Sequence, residues 1–179
     1  MSRIVMFALA AGLSMPGASQ QTDADFMKKA ADAGIVEVEV GRLAMEKASN
    51  ADVKAYARTV VVDQARANEQ LLKMSQSRNV SLNAEALKVD LTLPLTSDKG
   101  AMQPTTTQLM ALEGAAFDRA FLDQVVKDHQ QAIDLFDEEA DKGKDKELRD
   151  WAEKVHQTLQ DHLKLAKDLQ EKIKPPQVP

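Results

Sequence analysis

FDRAFLDQVVKDHQQAIDLFDEEA, residues 117–140, decides the fold by its period. Leu122, Val125, His129, Ala132 and Phe136 recur at alternating spacings of three and four, which puts them on one stripe of an α-helix and sets His129 in an otherwise apolar seam. Three other segments carry the same period, and each has one strongly polar residue near its middle. In the first the seam is Phe26, Ala30, Ala33, Glu37, Val40 and Ala44; in the second, Val53, Ala57, Val60, Gln64, Ala67, Leu71 and Met74; in the last, Leu148, Ala152, Val155, Leu159, His162, Ala166, Leu169 and Ile173. Four seams of this kind predict an all-α, antiparallel four-helix bundle.

The punctuation agrees with the period. Thr22 followed by Asp25 is a start signal for a first helix running to about Ala48, and Ser49 with Asp52 repeats it for the second. The short Ser49-Asn50 join folds the second helix back on the first. Gly34 and Gly41 lie on one flank of the first helix, where each costs about 1 kcal/mol against alanine, so a close neighbouring helix is their expected reason. From Asn79 to Thr105 the periodicity fails and prolines appear at 94 and 104. A connection of this length can run the full height of a bundle, as in ferritin-like folds with one long crossover, with Leu87, Leu91, Leu93 and Leu95 pinning it to the surface. A third helix is expected from about Thr107 to Lys142, ending at Gly143 in a left-handed cap. Asp145 caps the fourth, and Pro175-Pro176 forbids its continuation.

At the other end of the chain, MSRIVMFALAAGLSMPGASQ has one basic residue, an apolar run from Ile4 to Met15 and then small residues. That is the layout of a secretory signal peptide over residues 1–19, leaving 20–179 as a single bundle domain exported to the periplasm. The apolar run is far short of the ~20 residues that span a bilayer, so no transmembrane segment is expected. The chain has no cysteine, which rules out a disulfide scaffold and a lipidated-cysteine anchor. Its formal charge is −5, and loss of the leader with Arg3 makes it more acidic, which argues against nucleic acid as a partner. There is no nucleophile–base motif and no glycine-rich phosphate loop, so an enzyme reading has little support.

Glu37, Gln64, His129 and His162 each fall in the middle third of a helix, so they can meet at one level of the core. A carboxylate and two imidazoles are the ligand types of a facial metal site, with Glu37, His129 and His162 as ligands for a divalent iron, manganese or zinc ion. The same residues can instead satisfy one another by hydrogen bonds and fix the register of the helices, or line a small-ligand pocket. A dinuclear site of the ferritin type fails on spacing, because only Glu153 and His156 form a Glu-x-x-His pair. Asp63, Asp128 and Asp161 each precede a layer residue and are candidates to orient it from outside or to face solvent. Gln130, Gln131, Glu138 and Glu139 read as an exposed or interfacial helical face, and Arg58, Arg66, Lys73 and Arg78, mostly off their stripe, as a solvated one. Trp151 reads as a packing anchor.

The Glu-Val-Glu-Val-Gly run at 37–41, the Ala-Ser-Asn turn at 48–50 and the Asp-His pairs at 128–129 and 161–162 resemble the bacterial exported family catalogued as domain of unknown function 4142. The resemblance covers the mature chain except the 79–105 connection. It implies a ferritin-like four-helix bundle in the cell envelope, peripheral to the outer membrane, with an envelope protein or stress tolerance as its context and no assigned reaction. Members of that family usually carry histidine where this chain has Gln64 and proline where it has His156. If the family layer is a metal site, this chain therefore lacks one of its ligands.

Overall fold

The computed structural model describes residues 21–88, 90 and 103–173. The leader, Leu91, Leu93, Leu95, Pro94 and Pro175-Pro176 lie outside the described residues. Within them the chain forms α1 (Asp23–Lys47), α2 (Ala51–Ser77), the short α3 (Ala84–Leu87) and α4 (Pro104–Met110), α5 (Gly114–Lys142) and α6 (Lys146–Ile173), with no strand among them. The four long helices are those expected from the four seams.

Their directions follow from the contacts between them. Asp23 at the start of α1 accepts hydrogen bonds from the backbone amides of Lys144 and Asp145, and Lys47 at its end pairs with Glu113 just before α5. Arg78 at the end of α2 pairs with Asp145 and Glu147 at the start of α6. Going round the bundle the order is α1, α2, α6, α5, every neighbour antiparallel. α2 and α5 thus run the same way on opposite corners. The chain between Arg78 and Glu113 must travel back along the whole bundle, about 40 Å at 1.5 Å per residue. Leu87 in α3 is buried against it, as expected.

Several boundaries differ from the sequence reading. The second helix is capped by Asn50, whose side chain accepts from the amides of Asp52 and Val53. Ser49 is released from that role because its amide and hydroxyl go to the buried Asp118 of α5 at 2.9 and 2.5 Å, together with the amide of Asn50 at 2.9 Å. The expected third helix is broken after Met110 and restarts at Gly114, whose φ of +57° is the left-handed conformation that glycine supplies. Gly143 caps α5 with φ −55°, not left-handed. It is glycine for another reason: a Cβ there would collide with the carboxylate and carbonyl of Glu139.

Gly34 and Gly41 do mark a close helix approach. A methyl at Gly41 would strike Val61, and one at Gly34 would strike Gln64 and Asn68. Ala33, placed in the first seam, is exposed; Ala30, Ala31 and Gly34 take the buried face there. Trp151 packs edge-on to Phe26 and tilted on Phe136, and its indole donates to Gln70, so it is a packing anchor. Arg78 leaves the solvated face assigned to it, its side chain being 18% exposed between two carboxylates.

The apolar interior is divided in two. One cluster gathers Val40, Leu43, Tyr56, Val60, Phe117, Phe121, Leu122 and Leu169; the other gathers Phe26, Met27, Leu71, Phe136, Leu148, Trp151 and Leu159. On each long helix the switch from one cluster to the other falls at the polar residue of its seam.

Candidate functional site: a buried polar layer

Glu37 of α1, Asp63 of α2, His129 of α5 and His162 of α6 form the layer between the two apolar clusters. His129 is 1% exposed. Its Nδ1 lies 3.1 Å from the carbonyl oxygen of Val125, one helical turn back, and a carbonyl can only accept, so Nδ1 carries the proton. That leaves the Nε2 lone pair facing the core. Glu37 Oε1 is 3.1 Å from it but out of line, and Nε2 has no aligned hydrogen-bond partner. The carboxyl and imidazole are tuned to match: burial pushes Glu37 up to about 7, while burial takes His129 down to about 4 against the pull of Val125 and Asp128. Near neutrality the pair is accordingly a largely neutral imidazole beside a carboxyl group that keeps its proton unusually long.

His162 stacks edge-on to His129 with ring centroids 5.6 Å apart. Its Nε2 lies 3.2 Å from Asp63 Oδ2, and the backbone carbonyl of His162 accepts a hydrogen bond from the Tyr56 hydroxyl at 3.2 Å. Desolvation and the neighbouring His129 lower the His162 pKa, and Glu37 and Asp63 counteract them.

Of the sequence-derived candidates, Glu37, His129 and His162 do come together at one level, but their donor atoms do not converge on one point. Among the described residues no group of three His, Cys, Asp or Glu side chains is arranged to hold a metal ion. Gln64 leaves the layer: its amide nitrogen donates to Asn68 Oδ1 at 2.9 Å, against Gly34. Asp63 takes its place, by the ~100° turn that separates consecutive helical residues. Asp128 instead accepts from Gln124, Asp161 is exposed, and His156 and Glu153 lie outside the layer.

The space beside Glu37, Val125 and His129 amounts to about 10 Å³. A single water needs about that much, and a substrate far more. Beside His129 the layer therefore has room for about one water.

Two buried carboxylates were not anticipated as site residues. Asp118 clamps the α1–α2 turn to α5, and its spacing of four, three and four to Leu122, Val125 and His129 was a readable signal that it lies on the same stripe. Glu139 is 2% exposed with Oε1 lacking a hydrogen-bond partner, and burial followed by Asp23 and Asp145 raises its pKa to about 7. The nearby Gly143 was its only signal.

No curated protein matches the chain. Among solved structures, a DUF305 protein from Streptomyces coelicolor, described as secreted, shares the fold with a TM-score of 0.65 over 87% of this chain and 96% of its own, at 13% sequence identity. At that identity the likeness speaks for the fold alone. The model of the family described as "Domain of unknown function (DUF4142)" matches residues 8–169, nearly the whole chain, and the protein belongs to that family.

Proposed function

We propose that the protein is an exported, non-catalytic helical-bundle protein of the cell envelope, acting by binding through its exterior while the Glu37/Asp63/His129/His162 layer sets the register of its helices. One observation carries this reading: the layer leaves space for no more than about one water beside its central imidazole, His129. The leader layout of residues 1–19 supports export, with 20–179 as one domain in the periplasm, and no described helix is long and apolar enough to cross a membrane. The long α2-to-α5 connection supports grouping the bundle with ferritin-like folds.

The test is a variant with leucine at His129 and His162 and methionine at Glu37. Under the register reading it remains helical and as stable as the parent or more so, as buried polar clusters replaced by apolar residues often are, but its packing is no longer unique, so the melting transition broadens and the near-ultraviolet circular dichroism weakens. A variant that keeps the parent's sharp single transition and near-ultraviolet signal refutes it.

A metal reading has one observation in its favour, the bare Nε2 of His129 beside Glu37 with Nδ1 held by a carbonyl, the tautomer a ligand histidine adopts. His162 would have to turn from Asp63 to complete the set Glu37, His129, His162. Titration of zinc, manganese or iron(II) into metal-free protein decides it, because binding to the folded state alone raises the melting temperature. No rise, or a rise that survives His129→Leu, removes this reading.

A further inference from the structure

At the end of the bundle away from Arg78, a groove lies between α2 and α6. Polar contacts join them from Arg78–Asp145 through Trp151–Gln70 to Asp63–His162 and Tyr56–His162, and beyond that the first two turns of α2 and the last two of α6 flank this open groove of about 580 Å³. Its walls hold Tyr56 and Leu169 from the core edge and Leu165, which at 47% is the most exposed large apolar side chain among the described residues. Tyr56 is fixed by its hydroxyl on the His162 carbonyl, so its ring is a rigid part of the wall. Its charged lining is Asp52 on α2 and Asp168, Glu171 and Lys172 on α6. Asp168 also receives Lys164 at 3.2 Å.

We infer that this groove binds a small organic cation with an apolar body, such as an alkyl- or arylammonium compound. This rests on the reading of the molecule as a binding protein. The volume falls within the range of small-ligand sites, about 300–1,000 Å³. The lining spans residues 52–59 and 165–172, a length of about 10 Å at 1.5 Å per residue, which suits an eight-carbon chain and is short for a partner helix. Charge selects the rest. Carboxylates on both helices favour a cationic head and repel an anionic amphiphile or a second copy of this chain, whose formal charge is −5.

The experiment is isothermal titration of the purified mature chain with octyltrimethylammonium, using tetramethylammonium and octanoate as probes that keep only the head or only an apolar tail. Saturable one-to-one binding of the first alone is expected. Leu165→Ser and the combined Asp52→Asn, Asp168→Asn should each weaken it at least tenfold, and Ala55→Trp, which fills the groove from an exposed position, should abolish it with the melting transition unchanged. Equal binding of octanoate overturns the proposal, as does binding indifferent to Ala55→Trp, or binding that appears only after residues 174–179 are removed. Absence of any binding overturns the groove assignment but leaves the register reading of the layer, tested by its own apolar variant, intact.

Discussion

Replacing Glu139 by glutamine isolates a single buried carboxyl group and changes its shape little. In the folded protein this side chain is nearly sealed, has Oε1 without a hydrogen-bond partner and lies near Asp23 and Asp145, so its pKa rises from 4.5 to about 7. Desolvation is the first cause and the two aspartates add to it. Between those two values the folded state holds a proton that the unfolded chain has released, so stability falls as pH rises through that window. At about 1.4 kcal/mol per pH unit, the loss attributable to Glu139 between pH 4.5 and pH 8 is on the order of 3 kcal/mol. Glutamine cannot ionise. Urea denaturation at pH 4.5, 6, 7 and 8 should show the difference between Glu139→Gln and parent moving in the variant's favour by about that amount across the series. An amide that finds no better partner than the carboxyl shifts the whole curve down by ~1–3 kcal/mol without changing this slope. Parallel profiles for the two proteins would refute the burial argument.

Three further outcomes are expected. Gly143→Ala should destabilise the bundle by ~1–3 kcal/mol, measured by urea midpoint, and the Glu139→Ala background should relieve it only in part, because the Glu139 carbonyl also crowds the new methyl. Gly34→Ala should do similar damage by pushing Gln64 and Asn68 from α1, whereas alanine at the open Gly114 position should cost only the strain of a left-handed residue, about 1 kcal/mol. Asp118→Ala removes an acceptor shared by two backbone amides and the Ser49 hydroxyl; a loss of ~2–4 kcal/mol with local amide-exchange deprotection at residues 48–51 is the expected result.

What the sequence determined by itself was the bundle and the height of its polar layer. Seven-residue repetition of apolar side chains needs no tertiary information, since a helix that carries such a stripe must bury it against others. Because Glu37, His129 and His162 sit near the centres of helices of similar length, any antiparallel packing brings them level. Rotation about each helix axis was not so determined. One residue of offset is a turn of ~100°, and packing of α2 on α1 at Gly34 and Gly41 spends that turn by sending Gln64 to Asn68 and Asp63 to His162. Whether a histidine offers or hides its lone pair was likewise decided in three dimensions, by the Val125 carbonyl for His129 and the Asp63 carboxylate for His162. The break at Gly114 and the burial of Glu139 belong to the same class. They lie at opposite ends of the bundle, each where segments far apart in sequence meet, and the local period of a helix carries no record of such meetings.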